Sequence, residues 1–196
     1  MIDIHTHLHF KDYDADRDAV IARAREAGVE KMILVGTDFE SSRAAVEFAE
    51  KHDFLFASVG IHPHEFVEDA GCRTQDAGWA SELKELAKHP KVVAIGECGL
   101  DYFSRDPEKP IADEQKAIQR EGFLAQMEIA KELGLPMIIH IRPSAGTMDA
   151  YEDVFEILKN HLSLILHPTS VFILHCYQGD TEITKKFLGL PNVYFS

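Results

Sequence analysis

Short apolar runs rich in Val, Ile and Phe alternate along the chain with stretches whose apolar residues recur every three or four positions. The runs Met1–His7, Lys31–Thr37, Phe54–Ile61, Lys91–Glu97, Pro136–Ile141, Val171–Cys176 and Asn192–Ser196 predict strands. Between them, Asp16–Ala27 carries Val20, Ile21, Ala24 and Ala27 at helical spacing, and Gly28 stops it. Ser41–Lys51 repeats the pattern with Ala44, Ala45, Phe48 and Ala49. Asp76 is placed to cap a helix bearing Trp79, Leu83 and Leu86, which Pro90 ends. The longest predicted helix runs from Asp113 to Leu133 and closes at Gly134 and Pro136. Thr147 and Asp180 are the predicted caps of Met148–Lys159 and Thr181–Leu188. Between His161 and Cys176 lie two apolar runs, Leu162–Leu166 and Val171–Leu174, and the pattern leaves the first open as a helix end or an inserted strand.

Strands alternating with helices imply parallel β/α units, and this many favour a (β/α) barrel or a doubly wound sheet. The barrel reading is preferred because polar, reactive residues end many different strands, as on the active face of a TIM-type barrel. An open sheet concentrates its site near one switch point. The expected fold is therefore α/β, a (β/α) TIM-type barrel of about seven strands with the eighth missing. A closed barrel typically takes about 250 residues, 200 at the low end. The expectation is one domain over residues 1–196, truncated at its C-terminus, left open or completed by another chain, with the last strand's edge available for pairing.

Composition narrows the class. Hydrophobic residues make up 45% and charged residues 27%, as in a soluble globular protein. No apolar run reaches the roughly 18 residues of a membrane span, and the start MIDIHTHLHF does not read as a signal peptide. Cys72, Cys98 and Cys176 are too few and scattered for a disulfide framework. No membrane partner and a cytoplasmic location are expected. The net charge of −13 argues against broad nonspecific attraction to nucleic acid. A phosphate-bearing substrate stays compatible with it, because two divalent ions concentrate about four positive charges at one point.

The 11 histidines matter more than the net charge. Alternation puts Asp3, His5 and His7 on one strand face, with Ile2 and Ile4 facing the helix layer. Two inward imidazoles on one strand suit a divalent ion, although a packed histidine pair looks the same in sequence. Glu97 ends the run VVAIGE, where alternation puts it with Val93 and Ile95. A carboxylate ending a buried strand needs a compensating partner, either a basic side chain or a metal pair that it bridges. His140 closes PMIIH with Ile138 on its face, and His175 closes VFILH. Each alone reads as a hydrogen-bonded core histidine. Together with the opening His-x-His and the intervening glutamate they point to a metal centre.

The order of these residues resembles the TatD family of metal-dependent deoxyribonucleases, within the amidohydrolase-like barrels. The matching segments are DIHTHL (Asp3–Leu8), GIHPHE (Gly60–Glu65), AIGECGLDYF (Ala94–Phe103), IIHIR (Ile138–Arg142) and LHCYQG (Leu174–Gly179), in family order over nearly the whole chain. The resemblance implies two divalent metal ions, Zn, Mg or Mn. His5 and His7 would hold the first, His140 and His175 the second, and Glu97 would bridge them. His62, His64 and Arg142 would meet substrate phosphate beside Glu97, and Asp101 would orient a ligand. The implied substrate is DNA or another phosphodiester. Tyr102, Phe103 and Tyr177 sit near strand ends, where either base stacking or core packing accounts for them.

The sequence departs from the family at Leu8-His9, where Leu-Asp is usual, and in the segment after His140. It contains no Thr-Asp-Ser/Ala-Pro segment, whose aspartate in the family ligates the first metal and serves as base. This implies a weaker first site and low or no activity for this chain alone. Two other readings stay open: an amidohydrolase-like enzyme acting on a small ester, amide or lactone, and an inactive metal-stabilised module.

Overall fold

The computed structural model describes residues 1–68, 78–106, 108–161 and 170–196. Within them, strands β1 (Ile2–Thr6), β2 (Lys31–Val35), β3 (Leu55–Val59), β4 (Val92–Asp101), β5 (Met137–Arg142), β6 (Phe172–His175) and β7 (Val193–Phe195) form one sheet in chain order. All six pairings are parallel. The intervening helices are α1 (Arg17–Glu26), α2 (Phe39–Ala49), α3 (Glu65–Glu68), α4 (Gly78–Leu86), α5 (Asp113–Leu133), α6 (Asp149–Asn160) and α7 (Thr181–Leu188).

The sheet is rolled. β1 and β6 stand five places apart in strand order, which in a flat sheet separates them by about 24 Å at the usual strand spacing. Yet the His5 and His175 rings stack with centroids 3.5 Å apart. Only a sheet curled into an incomplete barrel brings those strand ends together.

Two apolar layers follow from the roll. The large one lies between sheet and helices and includes Leu34, Val59, Ile95, Ile139, Phe123 and Leu158. The small one, Val35, Ala94 and Ile138 with Ile33 against them, fills the concave side. Burying these side chains contributes roughly 1.5–3 kcal/mol for each large residue. β1 and β7 are the outer strands of the sheet and stay partly bare: Ile2 and Tyr194 are each 56% exposed. The expectation that Ile2 packs under a helix is therefore corrected, since Ile2 is exposed while Ile4 on the same face is half-buried.

Local chemistry accounts for the helix ends. Asp38 accepts the Ser41 amide at 2.7 Å and Ser41 reciprocates, so α2 begins two residues earlier than its apolar spacing suggests. Asp180 accepts the amides of Glu182 and Ile183 and caps α7 as expected. Gly134, at φ 67°, closes α5. α6 starts one residue later than predicted, with Thr147 accepting the Asp149 amide at 3.3 Å. The expected cap Asp76 and the run Leu162–Leu166 lie outside the described residues.

β4 differs most from expectation. It runs four residues past Glu97, and its register against β5 shifts between Ile95 and Cys98, where the Gly96–Glu97 peptide is cis. Strict alternation put Glu97 with Ile95. In the structure Ile95 and Cys98 both face the helix layer, and Glu97 turns to the concave side with the histidines. The close approach of β4 to β5 depends on Gly99, at φ 134°, where a Cβ would lie 2.1 Å from the His140 carbonyl oxygen.

Candidate metal centre

The predicted polar residues gather on the C-terminal halves of the strands and just past their ends. His5 lies on β1 and His7 just after it, His62 and His64 follow β3, Glu97 and Asp101 lie on β4, His140 and Arg142 on β5, and His175 ends β6. His5, His7, Glu97, His140, Arg142 and His175 line one cleft of about 480 Å³.

The nitrogens of the β1 histidines converge. His5 Nε2 and His7 Nε2 lie 3.2 Å apart, and Glu97 Oε2 is 3.5 Å from the first and 4.0 Å from the second. His7 Nδ1 lies 2.8 Å from the Val35 carbonyl oxygen, which only accepts, so that nitrogen carries the proton. Neutral His7 therefore presents a bare Nε2 to the cleft, the tautomer a metal needs. Burial first, then the neighbouring His5, lowers the His7 pKa and favours that neutral form. Nitrogen lone pairs facing each other repel unless a proton or a cation lies between them, so this donor set fits a divalent ion.

Glu97 reaches the other way with its second oxygen. Oε1 is 2.9 Å from His140 Nδ1. Burial alone would raise the Glu97 pKa, but hydrogen bonds from His140 and His5 outweigh it and hold the carboxyl far below its usual range. One buried carboxylate thus faces β1 nitrogens with one oxygen and a β5 nitrogen with the other.

His140 is held from behind. Its Nε2 meets Asp101 Oδ2 at 3.0 Å, while His64 Nε2 approaches the same oxygen at 3.2 Å. Asp101 Oδ1 accepts the Phe103 amide at 3.0 Å. Burial would push the His140 pKa down, but the Asp101 and Glu97 carboxylates raise it to about 9. His62, Asp101 and His140 also bring donor atoms within 4.8 Å of one another. Because Asp101 is already engaged by two imidazoles and an amide, this second group reads as an orienting network. His62 lays its ring edge against His140 at 4.5 Å, and burial followed by the nearby His140 charge lowers its pKa to about 4.

The remaining residues are placed more loosely. His175 stacks flat on His5, with ring planes 10° apart, and burial followed by the His5 charge lowers its pKa to about 4. Its ring is in the cleft, outside the converging group of His5, His7 and Glu97. Arg142 is exposed, with its guanidinium 3.8 Å from the Phe103 ring centroid. His9 packs edge-on to Phe10, and neither of its nitrogens has a hydrogen-bond partner among the described residues.

Sequence reasoning missed two supports. Gln119 on α5 accepts the Asp101 amide at 2.8 Å and donates to the Asp101 carbonyl at 2.9 Å. Seven residues later, Gln126 does the same for Ile61 at 2.9 and 3.0 Å. Each amide mimics one rung of a strand pairing and fixes the backbone that carries Asp101 or leads into His62. The signal was present: two glutamines two turns apart on the apolar face beside Phe123 and Met127.

A rolled parallel sheet with helices between its strands, bearing histidines and carboxylates at the strand ends, defines the class of barrel-type metal-dependent hydrolases. The chain belongs to the TatD-related DNase family, whose model matches residues 2–196. It is 38% identical over 197 residues to a Bacillus subtilis (strain 168) protein named "Uncharacterized metal-dependent hydrolase YabD", covering 100% of this chain and 68% of that protein. It is 40% identical over 183 residues to the "3'-5' ssDNA/RNA exonuclease TatD" of Musicola paradisiaca (strain Ech703), covering 93% of this chain and 61% of the relative. The crystal structure of YJJV, a TatD homolog from Escherichia coli K12, superimposes with a TM-score of 0.78 at 28% identity, over 100% of this chain and 66% of that one. The chain thus spans roughly three-fifths to two-thirds of these relatives' lengths.

Proposed function

We propose that this chain is a metal-dependent phosphodiester hydrolase acting on single-stranded nucleic acid, with two divalent ions of the Zn, Mg or Mn kind bridged by Glu97. The observation that carries the reading is the Glu97 carboxylate, one oxygen turned to His5 and His7 and the other to His140. In this reading His5 and His7 hold one ion, and His140 and His175 the other. When bound, the pair would supply water activation and charge neutralisation at the phosphate.

The other residues have distinct tasks. His62, its ring edge on His140, and His64, its Nε2 near Asp101, would meet the phosphate of the substrate. Arg142, steadied on Phe103, offers a planar fork to a phosphate oxygen pair. Asp101 holds His140 so that Nδ1 faces the centre. Relatives named as ssDNA/RNA exonucleases support the choice of substrate. No described helix is long and apolar enough to cross a membrane. The free thiols Cys98 and Cys176 support a reducing, cytoplasmic location.

The test is metal content by mass spectrometry together with hydrolysis of bis-p-nitrophenyl phosphate and of single-stranded DNA, with and without chelator. Two ions per chain and hydrolysis abolished by chelator are expected. Glu97→Gln should lose at least one ion and most of the turnover. Full metal content and full turnover in Glu97→Gln would refute the reading.

A further inference from the structure

A second cleft, of about 560 Å³, opens beside the metal centre. Its lining includes His64, Phe103, Arg105, Lys109 and Ile111. Its size falls within the roughly 300–1,000 Å³ range of small-molecule sites. Phe103 lines this cleft, and Arg142, whose guanidinium rests on the Phe103 ring, lines the first. The stacked pair therefore stands at the boundary between the two clefts. Asp101 ties them together, since its carboxylate meets His140 and His64 and accepts the Phe103 amide.

The lining of the second cleft holds two cations, Arg105 and Lys109, against one carboxylate, Asp106. The chain carries a net charge of −13, yet Arg105 and Lys109 both border this opening. Arg105 is exposed and forms no ion pair among the described residues. Lys109 approaches Asp106 only at 3.8 Å, and both are exposed, so that pairing is weak and leaves the ammonium available. Phe103 is half-buried, an aromatic face at the mouth of a cleft. The other two aromatics near strand ends are committed elsewhere. Tyr102 is buried with its hydroxyl on Asp153, and Tyr177 bonds Thr184 and packs on Phe187.

An aromatic face flanked by cations is the arrangement that holds single-stranded nucleic acid without reading its sequence. We propose that this cleft is a subsite for the nucleotide adjoining the scissile bond, its base against Phe103 and its phosphate beside Arg105 and Lys109. The inference rests on the nucleic-acid reading above and adds the part of the chain that grips the polymer. It predicts that a polynucleotide is held by groups that a small phosphodiester never reaches.

The experiment is fluorescence anisotropy with labelled ten-nucleotide single-stranded DNA and RNA on the full chain in EDTA, where cleavage is suppressed. Phe103→Ala should raise the Kd about five- to fiftyfold for both polymers. Arg105→Glu should raise it and flatten the slope of log Kd against log salt by about 0.7 for each phosphate that the protein no longer neutralises. Lys185→Glu makes the same charge change on α7, at an exposed lysine that pairs with Glu182 in the wild type, and should leave the Kd within twofold. Metal content measured on each variant reports whether the centre itself is disturbed. A Kd unchanged in Phe103→Ala and Arg105→Glu, or no oligonucleotide binding by the wild type, overturns the subsite even if bis-p-nitrophenyl phosphate is hydrolysed. Binding that depends on these two residues in a chain that neither retains metal nor hydrolyses phosphodiesters sinks the proposed activity and leaves the subsite standing.

Discussion

Asp101 Oδ2 and His140 Nε2 meet at 3.0 Å, which favours the tautomer with its proton on Nε2 once the ring is neutral and turns Nδ1 toward Glu97, with which it shares a proton in the absence of metal. The ring is thus oriented by a residue that is not itself turned to the centre. Asp101→Asn keeps the shape and removes the charge that favours this tautomer. Metal affinity should fall about 10- to 100-fold, read by isothermal titration with zinc. An unchanged zinc Kd would show that Asp101 is only a structural neighbour.

Proton release should accompany metal uptake. Without metal, His140 Nδ1 shares a proton with Glu97, and the His140 pKa is raised to about 9. A metal on Nδ1 displaces that proton, so near pH 7.5 binding should release about one proton from His140. Titration in two buffers of different ionisation enthalpy measures this, and identical apparent enthalpies would contradict it. The metal-free fold has the matching pH profile. Folded His140 keeps its proton above the ordinary 6.5, so its contribution is complete below about pH 6.5 and is lost as pH climbs through about 9. Glu97 behaves oppositely: its pKa is depressed, so its contribution persists above about 4.5 and fades on acidification. Melting temperatures of the chelated chain should therefore decline between pH 7 and 9, and more steeply than those of the metal-loaded chain.

Gly99→Ala should cost roughly 2–4 kcal/mol, combining a positive-φ penalty with a backbone collision. The methyl group would enter the space of the His140 carbonyl and press β5 away from β4. Chemical denaturation gives the stability change, and metal titration of the same variant should show weaker binding because His140 moves with its strand. A loss below about 0.5 kcal/mol would mean the strands separate there freely.

Gln126→Ala strips the buried Ile61 amide and carbonyl of their partner. Each unsatisfied group costs about 1–3 kcal/mol, so a loss of roughly 2–6 kcal/mol is expected in denaturant melts. His62 follows Ile61 directly and donates its own amide to the Thr37 carbonyl at 2.7 Å. Substrate affinity should therefore weaken more than metal affinity. Equal losses in both would place the effect in the whole fold.

Much of this protein was legible along the chain. The alternation of β-branched runs and amphipathic stretches, with Gly28, Gly134 and Asp180 as punctuation, placed the strands and most helices, because those signals are local. The short α3 had no such signal, since it is too brief to show a periodicity. The fold class followed from the strand–helix order, and the histidines were found because each ends a predicted strand.

Convergence was decided only in three dimensions. Alternation assigned Glu97 to the face of Ile95, and the register shift between Ile95 and Cys98 reversed that, because a break in pairing depends on the neighbouring strand and leaves no period in the sequence. The same holds for His5 against His175, which lie 170 residues apart and touch only because the sheet rolls. Phe103 was separated from Tyr102 and Tyr177 by what each packs against. Local chemistry sets which residues can hold a cation; the curvature and register of the sheet set which of them meet.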